Sequence, residues 1–286
     1  MIGFIGLGVM GEPICRQLAA KSGQKVVAYD VADAPLERLV EHGVQPANSV
    51  AEVAERADVV FLSLPGGKEV KLVCAGPGSL LIKLRAGGYI VDLSTTPVAL
   101  AREMHERFSA RGIHFVDAPV ARTRDAAEAG TLSVMVGGTA PEFKRVQPLL
   151  AHFATDITHC GASGAGQAMK LVNNMVLFQN VVALAEAIAL VKKIGLDPKA
   201  ALETLAKGSA DSFALRHHGL KAMVPGVFPE RAFSVEYARK DLGYALQLAR
   251  AVDLQLSGAR NARAALDKAS AAGLGSQYFP ILAKTL

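Results

Sequence analysis

Over the first 160 residues, short apolar runs alternate with longer amphipathic ones. Ile2–Ile5, Lys25–Asp30, Val59–Leu64, Tyr89–Ser94, His114–Asp117, Leu132–Val136 and Asp156–His159 are short and rich in β-branched or aromatic residues, so they predict strands. Met10–Ala20, Pro35–His42 and Val98–Ala110 predict helices between them. Strands alternating with helices imply crossover units and a parallel sheet. Several strands are apolar at almost every position, as expected when helices cover both faces of the sheet. Thr96-Pro97 reads as a helix N-cap followed by the first helical residue. Thr139-Ala-Pro-Glu142, after the turn Gly137-Gly138, reads as a capping box.

The pattern changes near Cys160. Gly161-Ala-Ser-Gly164-Ala-Gly166 reads as a linker. Gln167 to Ile194 then keeps helical periodicity without a Gly or Pro, a helix of roughly 40 Å. Gly195 ends it, and Asp197-Pro198 opens the next. Pro198–Lys207, Phe213–Ala222, Val235–Val252 and Ala259–Ala271 predict further helices, and no convincing strand follows Cys160. A chain of 286 residues suits two domains. The expectation is an α/β chain with a doubly wound domain over residues 1–162. An all-helical domain follows over residues 163–286, joined by the long helix.

Composition narrows the class. The chain is 51% apolar and 20% charged, which indicates a folded globular protein. Its formal charge of +5 suits an anionic ligand but is too diffuse to argue for nucleic acid. Three widely spaced cysteines, Cys15, Cys74 and Cys160, give neither a disulfide framework nor a metal pattern, and a reducing cytoplasmic setting is expected. Met1 runs directly into Ile2–Ile5 without a basic segment, unlike a signal peptide. The apolar stretch Val181–Val191 carries Glu186 and is short for a bilayer, so no membrane association is expected. The seven histidines show no metal-ligand spacing.

Candidate chemistry begins with Gly6-Leu7-Gly8-Val9-Met10-Gly11, a GxGxxG between an apolar strand and a helix. The first glycine permits the tight turn, the second lets a pyrophosphate approach the backbone, and the third lets helix and strand pack closely. The phosphates then meet the positive end of the helix. This is the signature of a Rossmann-type doubly wound sheet. Asp30 ends the second strand about twenty residues later, where a carboxylate accepts hydrogen bonds from the adenosine ribose. It would repel a 2′-phosphate, and no Arg or Lys lies in Val31–Pro35 to offset it, so NAD is favoured over NADP. The plainer alternative is an Asp that merely caps a strand end.

Leu62-Ser-Leu-Pro65 and Asp92-Leu-Ser-Thr-Thr96 close two other strands at the edge where such sheets bind ligands. Ser94 and Thr95 are placed to reach nicotinamide or substrate. Lys170, Asn173, Asn174 and Leu177 share one face of the long helix. That stripe either faces solvent or lines a cleft between the domains. Hydride transfer to a carbonyl needs a proton donor, and Lys170 is the best candidate. Lys240-Asp241, taken alone, is an ordinary surface ion pair.

Together these segments resemble the β-hydroxyacid dehydrogenases, the family of 3-hydroxyisobutyrate dehydrogenase and tartronate semialdehyde reductase. The resemblance covers essentially the whole chain. It rests on Gly3-Phe-Ile-Gly-Leu-Gly-Val-Met-Gly11, Asp92-Leu-Ser-Thr95, Asp117-Ala-Pro-Val120, Ala129-Gly-Thr-Leu-Ser-Val-Met-Val-Gly-Gly138, Gly164-Ala-Gly-Gln-Ala-Met-Lys-Leu-Val-Asn-Asn174 and Lys240-Asp-Leu-Gly243. It implies an NAD-dependent oxidoreductase that interconverts a small 3-hydroxy acid, such as 3-hydroxyisobutyrate, and its aldehyde or keto acid.

The resemblance also implies roles. Lys170 matches the catalytic lysine, and Asn174 the amide that holds the substrate oxygen. Gly6, Gly8, Val9, Met10, Gly11, Asp30, Leu64, Pro65, Thr95 and Lys240 are expected to bind the cofactor. Ser94, Ala121, Arg122, Thr123 and Asn173 are expected to bind the substrate. The resemblance further implies a homodimer or homotetramer built through the helical domain.

The chain departs from the family at one loop. Asp-Ala-Pro-Val usually continues with Ser-Gly-Gly, and here Ala121-Arg122-Thr123-Arg124 follows. Arg122 presents a guanidinium suited to carboxylate or sulfonate. Arg-Thr here is similar to the sulfolactaldehyde reductase branch, which carries a Ser where this chain has Leu177. Imine reductases, which share the architecture, usually lack the lysine at position 170. A non-catalytic NAD-binding protein is the remaining alternative, and Lys170 with Asn174 speaks against it.

Overall fold

The computed structural model describes residues 1–229 and 232–286. It divides into two compact units, Met1–Lys170 and Leu171–Leu286. The strands of the first unit are β1 (Ile2–Ile5), β2 (Val26–Tyr29), β3 (Gln45–Pro46), β4 (Val59–Leu62), β5 (Tyr89–Asp92), β6 (His114–Asp117), β7 (Val120–Ala121), β8 (Leu132–Gly137) and β9 (Ala154–Gly161). Its helices are α1 (Gly11–Lys21), α2 (Asp33–Val40), α3 (Val50–Arg56), α4 (Gly67–Ala75), α5 (Leu80–Lys83), α6 (Val98–Ser109), α7 (Arg124–Ala129) and α8 (Ala140–Leu150).

Strands β3-β2-β1-β4-β5-β6 lie side by side and run parallel. The chain reverses its direction of travel across the sheet between β1 and β4, which is where ligands bind in doubly wound sheets. Alternation within each strand explains the apolar runs. Ile2, Phe4, Val59 and Phe61 join one buried cluster, while Ile5, Val60, Leu62 and Ile90 join the other. Helices cover both faces, so β1 and β4 are apolar on both. Each large side chain so buried contributes about 1.5–3 kcal/mol.

The sheet is mixed rather than wholly parallel. β8 runs antiparallel to β6 and β7, and β9 runs parallel to β8. The link from β7 to β8, residues 122–131, is shorter than the roughly dozen residues a parallel crossover needs. Gly130 ends α7 in the left-handed region at φ 70°, and the chain turns back.

Two helix starts test the capping expectations. At α8, Thr139 Oγ1 accepts from Glu142 N, and Glu142 Oε2 accepts from Thr139 N at 2.7 Å, so the capping box forms. At α6 the expectation at Thr96 needs correction. Pro97, with ψ 139°, is the N-cap residue, and the helix begins at Val98. The Thr96 N–H is instead donated to the Gln167 side chain.

The second unit is helical apart from one isolated bridge between Ser234 and Tyr278, among the described residues. Helix α9 (Ala165–Lys193) crosses from the first unit into the second, and α10 (Pro198–Leu205), α11 (Val235–Arg250) and α12 (Ser257–Ala269) follow. Asp197 caps α10 by accepting from Ala200 N at 2.8 Å. Where an ordinary helix was expected over Phe213–Ala222, residues Leu215–Met223 form a wider π-helix. By length and composition alone, α9 reaches what a membrane span requires, beyond the stretch Val181–Val191. Core helices of soluble proteins meet the same criterion, and Leu171, Phe178, Val181, Val182, Ala185 and Ile188 of α9 are buried in the fold.

An aromatic cluster of Phe178, Phe233 and Phe279 sits in this unit. His218 lies beside Phe279 and is buried, with Nδ1 2.6 Å from the Tyr278 hydroxyl. Burial pushes the imidazole down to about 4, so it is neutral at pH 7. Below about pH 6.5 the unfolded chain takes up a proton here and the folded chain does not until about pH 4, so stability falls across that window. The expected loss is about 3 kcal/mol. His218→Gln should remove that component, making the variant's stability less sensitive to acid than the parent's in denaturant titrations at neutral and mildly acidic pH. Parallel losses in the two proteins would refute the assignment.

Candidate active site

The glycine loop is built as its spacing requires. Gly6 has φ 93°, and a Cβ there would lie 2.4 Å from the Ser63 carbonyl oxygen. A Cβ on Gly11 would meet the Gly6 carbonyl oxygen at 2.0 Å. Gly8 differs, because it is exposed and a Cβ on it would meet nothing within 4 Å. The fold needs Gly6 and Gly11, whereas the open space at Gly8 fits an approaching phosphate. No side chain caps the first turn of α1, so its backbone amides suit an anion. The residues therefore fit a dinucleotide.

Asp30 accepts from Leu7 N at 2.5 Å and from Ala32 N at 2.8 Å. It ties the glycine loop to the end of β2, so the plainer reading of a strand-end cap describes part of its work. A cleft of about 470 Å³ opens there, with Tyr29, Asp30, Asp33, Glu37 and Asn48 among its lining residues and no Lys or Arg. Val9 is exposed and Met10 half-buried on the same loop.

The loops after β4 and β5 are bonded together. Leu64 N donates to Ser94 Oγ at 2.9 Å, and Ser94 N donates to Asp92 Oδ1 at 3.0 Å. Ser94 is buried and Thr95 half-buried, while Pro65 is exposed. The Ser94 hydroxyl thus already accepts from the Leu64 backbone, a task that its expected contact with substrate did not include.

Asp117, fully buried at the end of β6, holds the start of α9. Its Oδ1 accepts from Gly164 N at 2.7 Å and its Oδ2 from Gln167 N at 2.9 Å. Burial pushes this carboxyl above the usual range, and the amide donors oppose that shift. Gly166 fits because a Cβ would lie 2.3 Å from the Met135 carbonyl oxygen. The segment expected as a linker is therefore a fixed turn. It leads one helical turn later to Lys170, which is half-buried and belongs to the same unit as the glycine loop.

Asn173 and Asn174 lie beyond the boundary, in the second unit. Asn174 is buried and donates from Nδ2 to Asp241 Oδ2 at 2.8 Å, while Asn173, exposed, donates to Asn174 Oδ1 at 3.0 Å. A carboxylate only accepts, so Asp241 settles which end of the Asn174 amide faces it. Lys240 Nζ lies 3.2 Å from Asp241 Oδ1 and over the rings of Tyr237 and Tyr244. Read from the sequence alone, Lys240-Asp241 was a surface ion pair, yet Asp241 is 1% exposed and supports Asn174. Nothing in spacing alone marks that link, which joins residues far apart in the chain.

The departing loop carries the largest surprise. Arg122 has φ 89°, uncommon for a residue other than glycine. Its guanidinium pairs with Asp156 at 2.7 Å and donates to Thr155 Oγ1 at 3.0 Å and to the Thr131 carbonyl at 2.5 Å. Thr123 Oγ1 accepts from Ala126 N as the cap of α7, and Ala121 is buried in β7. The sequence placed Arg122 and Thr123 on an anion, and the structure engages both with partners of their own. Gln167 and Asp117 carry structural roles that appeared in the sequence only as letters within motifs. The signal that was available was their polarity at positions otherwise apolar or glycine-rich.

The chain is similar to known proteins in sequence and in fold. Residues 1–161 match the family described as the NAD binding domain of 6-phosphogluconate dehydrogenase. Residues 164–286 match that described as NAD-binding of NADP-dependent 3-hydroxyisobutyrate dehydrogenase. The chain is 38% identical over 276 residues to 2-(hydroxymethyl)glutarate dehydrogenase of Eubacterium barkeri, covering 96% of this chain and 91% of that protein. It is 38% identical over 259 residues to 3-hydroxyisobutyrate dehydrogenase of Pseudomonas aeruginosa, covering 88% and 86%. The solved 3-hydroxyisobutyrate dehydrogenase of Mycobacterium tuberculosis, described with L-serine, superposes with a TM-score of 0.89 at 32% identity over 99% of this chain and 98% of that one.

Gly8 and Gly11 are expected to separate on substitution. Gly8→Ala should keep the parent's melting temperature but weaken NAD binding by about tenfold or more, because only the ligand needs that space. Gly11→Ala should lower the melting temperature itself, since its Cβ collides with backbone. Thermal melts and NADH fluorescence titrations read both effects. Equal destabilisation by the two substitutions would contradict the division of roles.

Proposed function

Because the chain belongs to the β-hydroxyacid dehydrogenase family, we propose that it interconverts a small 3-hydroxy acid and the corresponding aldehyde or keto acid, with NAD preferred over NADP. It is an NAD-binding hydroxyacid dehydrogenase of the fold described above. The names of the two relatives describe substrates that carry a hydroxymethyl group beside a carboxylate, which favours the same class here.

The observation that carries this reading is the anchoring of Lys170. The turn before it is pinned by Asp117, inside the unit that holds the glycine loop. A nicotinamide supplies hydride exchange when bound. Lys170 as an ammonium gives a proton to the substrate oxygen in reduction, and as an amine takes one in oxidation. Asn174, its amide oriented by Asp241, offers its second N–H to that oxygen. Gly6, Gly8, Val9, Met10 and Gly11 bind the pyrophosphate, and Leu64, Pro65, Thr95 and Lys240 complete the cofactor contacts. Asp30 meets the ribose, and with Asp33 and Glu37 it disfavours a 2′-phosphate.

Ser94, Ala121, Arg122, Thr123 and Asn173 hold the acid group. The guanidinium of Arg122, where the family usually has glycine, also favours a second reading in which the acid is a sulfonate. Met169, Val176, Ala183 and Leu190 recur every seven residues on α9 and are exposed, which supports burial against a second copy in a homodimer or homotetramer. Three free cysteines fit a cytoplasmic setting.

A panel of small hydroxy acids, hydroxy sulfonates and cyclic imines, assayed with NAD and with NADP, tests the reading. Turnover confined to imines, or a clear preference for NADP, would overturn it. Lys170→Ala should lower kcat by about a hundredfold or more while leaving NADH affinity near the parent's, and retention of most of kcat would remove Lys170 as the proton donor. Arg122→Ala should raise KM for the acid by about tenfold at similar kcat, as loss of a charge-assisted contact does. An unchanged KM would leave Arg122 with only its contacts to Asp156, Thr155 and the Thr131 carbonyl.

A further inference from the structure

Gln167 is fully buried, and its side-chain amide makes two hydrogen bonds to the loop after β5. Its Nε2 donates to the Ser94 carbonyl at 2.7 Å, and its Oε1 accepts from Thr96 N at 2.9 Å. These backbone groups flank Thr95. One amide therefore grips Thr95 from both sides, as a neighbouring strand would, and fixes its backbone without touching its side chain. The Gln167 backbone N–H goes to Asp117, so the gripping residue is itself tied down. Gln167 and Lys170 share a helix face three residues apart, about 4.5 Å along the axis. Every atom in this chain of contacts lies within Met1–Lys170.

We propose that Gln167 is a positioning residue that holds the helix of Lys170 in register with the cofactor-side backbone at Thr95. The proposal rests on the functional reading above. A neutral amide is the side chain suited to the task, because it supplies one donor and one acceptor in the same plane. Glutamate would keep the acceptor for Thr96 but set a carboxylate against the Ser94 carbonyl. Leucine would leave both backbone groups without that partner.

Gln167→Leu and Gln167→Glu test the proposal, with Leu150→Ala, a buried residue of α8, as a control for general destabilisation. Melting temperature, NADH affinity, kcat, the primary deuterium isotope effect on hydride transfer, and hydrogen exchange at the Thr96 amide are measured. The Gln167 variants should lose about a hundredfold in kcat, as misplacement of a reacting group by about 1 Å does. Their isotope effect should rise, their affinity for NADH should stay within about threefold of the parent's, and the Thr96 amide should exchange about tenfold faster. The control should lose stability without a change in isotope effect.

A kcat close to the parent's in a folded Gln167 variant overturns the proposal. So does a fall in kcat matched by the control at equal stability, or a loss confined to NADH affinity. If the parent turns over none of the panel, the functional reading fails separately. The Thr96 amide then decides whether Gln167 holds the loop, and unchanged exchange would sink that as well.

Discussion

The buried carboxylate of Asp117 governs where helix α9 begins. A parallel strand that ends in a short loop leaves backbone groups unsatisfied at the carboxyl edge of the sheet, and a helix that starts there leaves more. Asp117 meets both needs by accepting from Gly164 and Gln167 at the first turn of α9. Desolvation opposes a charge at that position, and amide donors are what make it tolerable. Glycine at 166 follows from the same contact, since its backbone lies against β8 and the end of β6, while Gly164 turns at φ 87° against Val98 and Arg102 of α6. Lys170 inherits its place from this arrangement.

The features legible in the sequence share a cause. Where one local rule is strong and nothing distant competes, the chain obeys it. β1 and β4 are apolar throughout because both their faces are covered, and that pattern is visible without a fold. The capping box at Thr139 closes within four residues and needs no outside partner. Gly6, Gly8 and Gly11 are spaced by the geometry of one turn. The illegible features depend on partners far along the chain. β3 and β7 have two residues each, too few to show a period. Thr96 has the side chain of an N-cap, yet its N–H is claimed by Gln167, seventy-one positions away. Asp241 resembles half of a surface ion pair until α11 is placed against Asn174.

Arg122 shows how such competition leaves its mark on the backbone of a loop. A residue with a Cβ at φ 89° costs about 1–3 kcal/mol relative to an unstrained backbone. The family's usual glycine would occupy this conformation without that cost. Arginine persists there with contacts to Asp156, Thr155 and the Thr131 carbonyl to offset it. Asp156 is held below the usual carboxylate range, by its bond from Thr155 first and by Arg122 second, so it remains an anion over the working pH range. An acid group that engages Arg122 must therefore compete with Asp156 for the guanidinium.

The two units divide the chemistry by kind. The first holds the glycine loop, Asp30, the Thr95 backbone and, through Asp117 and Gln167, Lys170, the groups that the proposed reading needs most rigid with respect to the cofactor. The second holds Asn174, Asp241, which accepts from it, and Lys240 beside that carboxylate, so the proposed reading draws its substrate-oxygen contact and one cofactor contact from this unit. Proton transfer is sensitive to fractions of an ångström, whereas an orienting hydrogen bond tolerates more. With Lys170 as the proposed donor, anchoring it to the nucleotide domain by short buried hydrogen bonds places the strictest geometric demand within a single compact unit. The unit boundary after Lys170, rather than at the glycine turn, is where that demand ends.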